Sequence, residues 1–200
     1  MPTLLRAGLL VALLTYAVSA DLQAQDLHPS RRPSPAGIAK THIGNAYVKV
    51  VYGRPYVRNR GIFGTNTDST TYLVPFGELW RTGANEATEI TLTESLLVNG
   101  SRLDAGTYSI FTEPGATEWV IHFSPQLGLD GTGIFNAETQ EFTPNVYDPS
   151  QDVLVIRVPS GTLDDVVDQF TISFEQADGA THMVFRWERT EVRVPFGPAS

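Results

Sequence analysis

The densest concentration of recognition chemistry in this chain is the run Trp80-Arg81-Thr82-Gly83-Ala84-Asn85-Glu86-Ala87-Thr88. The guanidinium of Arg81 offers a planar fork of donors that matches a carboxylate, a phosphate or a pair of sugar hydroxyls. Asn85 can donate and accept, Glu86 adds a carboxylate, and Trp80 carries a face on which a ring can stack. Gly83 and Ala84 leave room for a ligand to approach the backbone. The same residues also have a structural use. Arg and Asn satisfy the carbonyls of a long coil laid over a sheet, Trp80 fills a core, and Gly83 makes a turn. Both uses remain open in the sequence. Alternation counted back from a strand at Thr88 puts Glu86 and Thr88 on one side and Asn85 and Ala87 on the other. If the strand begins that early, Asn85 and Glu86 do not converge.

A second concentration is the basic run Arg54, Arg58 and Arg60, interleaved with Tyr52 and Tyr56. Guanidinium groups so placed can take an anionic glycan or a peptide carboxylate bidentately. They can equally form a solvated loop that balances an acidic surface, or pair with Glu78 and Glu86. Gly53-Arg54-Pro55 reads as a strand end, because proline stops the ladder. Glu86, Asp148 and Asp152 lie near long segments, and a carboxylate pair across a cleft is what glycoside hydrolysis uses. With 22 acidic residues in the chain, three of them near loops carry little weight. Tyr147, Phe142 and Phe135 could make a sugar platform or cap the fold.

Other catalytic signatures are missing. The sequence has no Gly-x-Ser-x-Gly elbow, no His-Glu-x-x-His helix and no phosphate-binding Gly-Lys-Ser/Thr loop. His28, His42, His122 and His182 are far apart and lack ligand spacing, so they read as structural or surface residues rather than metal ligands. There is no cysteine, which excludes a lipid-anchored lipoprotein, a disulfide framework and a thiolate metal site. No metal and no cofactor are expected.

The elements that must position these residues read as strands. Asn45 to Tyr52 is rich in Val and Tyr and follows a Gly44-Asn45 turn, and Thr88 to Thr93 alternates cleanly. Leu96 to Val98, Asn99-Gly100 and Ser101 to Leu103 spell a tight hairpin, since Asn-Gly supplies the positive backbone angles of a primed turn. Gly106 to Thr112 and Glu118 to Phe123 make another hairpin across Pro114-Gly115. Asp152 to Pro159, Gln169 to Glu175, Thr181 to Glu188 and Thr190 to Phe196 complete the set, with a turn at Asp178-Gly179. Leu163 to Val167 is the one stretch with room for a helical turn. The expectation is an all-β fold, an antiparallel β-sandwich of about nine or ten strands. Two long loops interrupt it, Gly53 to Ala87 and Ser124 to Ser150, and loops of that length are often functional.

The chain's start sets the expected compartment. Arg6, the apolar run Ala7 to Val18 and the small residues Val18-Ser19-Ala20 fit a signal peptide, cleaved after Ala20 or after Ala24. Residues 1–24 are therefore expected to be removed, 25–35 to be a flexible leader, and 36–197 to form one domain. The apolar run is too short to span a bilayer, and no later run competes with it, so no membrane span is expected after cleavage. Cleavage after Ala24 removes one residue of each sign, so the net charge stays at −8. That excess counts against nucleic-acid binding, which needs a basic footprint.

Several strings together carry a family resemblance. They are Gly53-Arg54-Pro55, Arg58 to Gly64, Leu73 to Thr88, Leu103 to Phe111, and Tyr147-Asp148-Pro149 with Asp152-Val153-Leu154. From about Ala36 to Phe196 the chain resembles an exported bacterial family known as domain of unknown function 2911. Trp-Arg-x-Gly-Ala-Asn-Glu-Ala-Thr is the most specific part. The resemblance implies an exported domain and supplies no reaction, ligand or catalytic residue. Thr65 to Thr71 looks like an insertion relative to the family, and Gln126 to Thr143 looks longer than usual.

The reading that follows is a periplasmic or extracellular, non-catalytic binding module for a polar ligand, either glycan or peptide. Its candidate ligand-binding residues are Trp80, Arg81, Asn85, Glu86, Arg54, Arg58 and Tyr147. The alternatives are a hydrolase using loop carboxylates and a structural or partner-binding envelope protein.

Overall fold

A computed structural model describes residues 31–136 and 138–199. The described chain is an antiparallel β-sandwich. Its strands are β1 (Ala36–Ile43), β2 (Ala46–Gly53), β3 (Phe63–Gly64), β4 (Val74–Pro75), β5 (Thr88–Leu92), β6 (Leu96–Val98) and β7 (Ser101–Leu103). After these come β8 (Gly106–Glu113), β9 (Glu118–Ser124), β10 (Ile134–Asn136), β11 (Glu141–Thr143), β12 (Leu154–Ala177) and β13 (Ala180–Pro198). Nine of them hydrogen-bond in the order β1-β2-β5-β8-β9-β12-β13-β6-β7.

The two layers are joined through β12. Its start, Leu154 to Pro159, pairs with β9, while Ser160 to Ala177 pairs with β13. The expected pairs of short strands at each end of the chain's last third are thus two long ones. Leu163 to Val167 is extended rather than helical, with register shifts between Thr162 and Val167 and between Val167 and Thr171. Bulges of this kind let one strand bend from one sheet into the other. The hairpin turns at Asn99-Gly100 and Asp178-Gly179 are where the sequence puts them, all four residues having positive φ.

Alternating residues meet between the layers. Val48 and Val50 of β2, Ile90 and Leu92 of β5, Ile110 of β8 and Ile121 and Phe123 of β9 face Met183, Phe185, Trp187, Val192 and Val194 of β13 across one core. At its centre Trp80, Trp119, Trp187, Phe63 and Phe170 pack edge to face or stacked, with Trp80 and Trp187 5.7 Å apart and 19° from parallel. A tyrosine fastens the layers on one side. The Tyr52 hydroxyl accepts from the Ile172 amide at 2.9 Å and donates to the Ile172 carbonyl at 3.2 Å, satisfying the edge of β12 as a neighbouring strand would. Beside it Val57 N donates to Asp168 O and Phe170 N donates to Pro55 O.

The two long segments carry small sheets of their own. β3 and β4 pair in parallel, so Thr65 to Thr71 projects outward as an exposed excursion. β10 and β11 form a separate hairpin. Among the described residues no helix is long and apolar enough to cross a membrane.

Four alternating charges brace the outer face of the long hairpin. Arg186 grips the Glu175 carboxylate with two nitrogens and donates to Glu191 at 2.6 Å, while Arg193 reaches Glu191 at 2.7 Å and Glu175 at 2.9 Å. The hydrogen bond from Arg186 is the largest influence on Glu175 and brings its carboxyl down to about 2. Ionised Glu175 thus favours the folded state at pH values above about 4.5, and this contribution fades as the pH falls toward 2. Urea unfolding of the parent and Glu175→Gln should show the parent more stable by ~1 kcal/mol at pH 6, after solvent screening, and the gap closing near pH 2.5. A gap that is the same at both pH values would contradict the network's role.

Candidate functional site

Space decides where the Trp80 to Thr88 segment lies. A Cβ added to Gly53 at the end of β2 would fall 1.9 Å from the Ala84 carbonyl oxygen, and one on Gly83 would fall 2.9 Å from the Gly53 oxygen. Backbone thus rests on backbone, which only glycine allows. Trp80 extends β8 by exchanging amide bonds with Thr112 at 2.7 and 2.8 Å, sends its indole into the core, and donates from Nε1 to Gly83 O at 3.0 Å. Thr82 is fully buried with φ 55. A β-branched residue in the left-handed region costs on the order of 1–2 kcal/mol. The conformation is fixed by bonds from the Thr82 hydroxyl to Thr112 Oγ1 at 3.1 Å and from the Thr88 hydroxyl to Thr82 O at 2.7 Å.

Of the remaining side chains, Arg81, Asn85 and Glu86 turn outward and border two cavities, while Ala87 is buried beside Phe111 and Leu129. Asn85 also has a positive φ, 64, and the strand begins only at Thr88. Alternation therefore does not extend back to Glu86, the condition under which Asn85 and Glu86 would diverge is not met, and the two line the same cavity. This cavity, about 290 Å³, also takes in Arg32, Tyr52 and Glu89. Glu86 binds Arg32 Nη1 with both oxygens, at 2.5 and 2.8 Å. Burial opposes ionisation of Glu86, but the Arg32 hydrogen bonds and charge outweigh it and hold the carboxyl below its usual range.

A second cavity of about 250 Å³ is lined by Arg58, Arg60 and Arg81 together with Tyr56, Ser34 and Trp80, and none of its lining residues is acidic. Arg81 is half-buried, and burial lowers its pKa, with the charges of Asp130 and Glu86 acting in the opposite direction. Among the described residues its guanidinium takes neither a hydrogen bond nor an ion pair. One nitrogen lies 2.8 Å from where Gly131 would carry a Cβ, so a larger residue there would displace it.

Residues 32–35, read as the end of a flexible leader, are held against this region. Besides the Arg32 pair, Ser34 O accepts from Asn85 Nδ2 at 2.9 Å, Pro33 O from Arg58 at 2.9 Å, and Pro35 O from the Arg54 amide at 2.9 Å. Arg32 and Ser34 each line a cavity, and neither carries a local pattern that marks it as part of a site. The expected signal peptide lies outside the described residues.

The other candidates go elsewhere. Arg54 lies along β12, donating to Phe170 O at 3.2 Å and Thr171 Oγ1 at 3.0 Å, and lines neither cavity. Tyr147 is buried against Phe111 at 4.2 Å, donates to Asp152 Oδ2 at 2.7 Å and lines neither cavity. Burial first, then that hydrogen bond, hold its hydroxyl protonated far above the usual phenol range. The same Asp152 oxygen is 2.8 Å from His122 Nδ1, whose Nε2 is 3.5 Å from Glu113. This buried His-Asp-Tyr set on the outer face of β9 joins residues 30 apart in the chain, beyond the reach of any spacing rule. Asp148 caps the short 3-10 turn Pro149–Gln151. Glu86, Asp148 and Asp152 thus belong to three separate sets. Phe135 and Phe142 pair across the β10–β11 hairpin and stay exposed, so they do not cap the sandwich. Among the described residues no three His, Cys, Asp or Glu side chains gather as a metal site.

Comparison with known families adds one result. Residues 34–196 match the family described as protein of unknown function (DUF2911). The chain belongs to that family. No curated protein and no solved structure matches it. The match spans the sandwich except for the last two residues of β13, and the signature segment of this DUF2911 domain is the one wedged against Gly53.

Gly53→Ala should remove several kcal/mol of stability or prevent folding, because the obstacle is a backbone carbonyl that cannot move aside. Gly197→Ala, where an added Cβ meets nothing within 4 Å, is the control and should unfold like the parent. Thermal unfolding of both variants checks this, and equal melting would remove the argument for how the segment is seated.

Proposed function

We propose that this DUF2911 domain is a non-catalytic binding module, exported to the cell envelope or beyond, that holds a small polar ligand such as a glycan or peptide at the two cavities beside residues 80–87. The observation that carries the reading is Arg81. A half-buried guanidinium with no hydrogen-bonded partner among the described residues is costly in an apoprotein and useful where a ligand supplies the acceptors. Other features support it. Backbone strain at Thr82 lies in the segment that borders both cavities, and strain of this kind gathers at functional sites. Cavities of 250 and 290 Å³ suit a ligand of monosaccharide or dipeptide size.

The test is a thermal-shift screen of the protein against monosaccharides, disaccharides and dipeptides. At least one compound should raise the melting temperature in a concentration-dependent way, and the shift should disappear in Arg81→Ala. A shift that persists in Arg81→Ala would place binding elsewhere, and no shift with any compound would count against the module.

A further inference from the structure

We infer that the 250 Å³ cavity is an oxyanion site, in which Arg81 at the wall and Arg58 and Arg60 at the rim take the carboxylate or phosphate group of a small ligand. The inference rests on the binding-module reading and names its ligand chemistry.

Charge distribution is the first argument. The chain carries a net −8, yet three arginines share one cavity with no acidic lining residue. Arg32, Arg102, Arg157, Arg186 and Arg193 each hold a carboxylate within 4 Å. Among the described residues Arg31, Arg54, Arg58, Arg60, Arg81 and Arg189 hold none, and of these Arg58, Arg60 and Arg81 line the same cavity. In a protein with surplus acid, arginines with no carboxylate within 4 Å gather positive charge at one cavity, which Asp130 and Glu86 offset at Arg81 only from longer range and which an anion can neutralise.

Geometry supplies the second. Arg60 is fixed by Nε donating to Val57 O at 3.1 Å and Nη2 donating to Tyr56 O at 2.7 Å, and Arg58 by Nη2 donating to Pro33 O at 2.9 Å. A guanidinium has five N–H donors, so both keep donors to spare while their side chains are already ordered. Ordering before binding removes part of the entropy cost of capturing a ligand. Arg81 keeps all of its donors. The three therefore present a preset group of charged donors, the arrangement that binds planar carboxylates and phosphates bidentately.

The third is strain. Arg58 and Asn59 form the centre of the turn closed by Arg60 N to Val57 O at 3.1 Å, with φ 49 and 55. That is a turn for Gly or Asn, and a long side chain at its first central position costs on the order of 1–2 kcal/mol. Arg58 therefore occupies a position that backbone chemistry disfavours and lines the cavity from there. Its one bond within the fold, to Pro33 O, leaves other donors of the guanidinium open.

The test is calorimetric titration of the protein with D-glucuronate, inorganic phosphate and D-glucose at low and high salt. Glucuronate or phosphate should bind at least about tenfold tighter than glucose, and more weakly as salt rises. Whichever anion binds better tells carboxylate from phosphate. Arg81→Ala and Arg58→Gly should each weaken the anion by about tenfold or more. Arg58→Gly removes the turn strain, so it should melt no lower than the parent, which separates loss of binding from loss of fold. Equal binding of glucuronate and glucose, both lost in Arg81→Ala, would overturn the anion assignment and leave the binding module standing. Anion binding unchanged in both variants, or no binding by either anion, would overturn the assignment outright.

Discussion

The Ala84 carbonyl lies where any other residue at position 53 would carry its Cβ, and most of the site's geometry follows from that contact. Because β2 ends in glycine, the signature segment can lie directly on the strand's backbone. With no side chain between them, the segment is held close enough for Trp80 to enter the core and for Thr82 to reach Thr112. The contact also fixes where the cavities form, since residues 83 and 84 border one and residues 85 to 87 border the other.

Within this segment, the side chains divide by direction. Trp80, Thr82 and Thr88 are buried and bonded to their own loop or to β8. Arg81, Asn85 and Glu86 turn outward. Asn85 spends its amide on Ser34 O and Glu86 spends its carboxylate on Arg32, so both help seat residues 32–35 over the site. Arg81 alone of the three is left without a hydrogen bond among the described residues. The structural use is therefore carried by Trp80, Thr82 and Thr88, and the proposed recognition rests on Arg81, whose donors stay open among the described residues.

Local chemistry made much of the fold legible. Asn99-Gly100 and Asp178-Gly179 announce primed turns, and the alternation in Thr88 to Leu92 announces a strand with one fully buried face. What was not legible depends on distant partners. Ser160 to Asp168 reads as a gap between two strands with room for a helical turn at Leu163 to Val167, yet it continues β12 because β13 pairs alongside it through two register shifts. The site followed the same rule. Trp80, Arg81, Asn85, Glu86 and Arg58 could be singled out by type, whereas the docking of Arg32 and Ser34, separated from that segment by about 50 residues, leaves no periodic trace. Arg54 and Tyr147 look alike in type to the residues that line the cavities. Their positions are decided by β12 and by Asp152, neither of which a local reading can supply.

The claim that outward residues of this segment are spared from holding the fold can be tested most directly by comparing the unfolding free energies of Arg81→Ala and Trp80→Ala with the parent. The account predicts a loss of ~1 kcal/mol or less, or a slight gain, for Arg81→Ala, because a half-buried charge without hydrogen bonds is removed. Trp80→Ala should lose about 3–5 kcal/mol from the same strand of residues. A loss of about 3 kcal/mol or more for Arg81→Ala would contradict the account, since the guanidinium would then be part of the fold's own support.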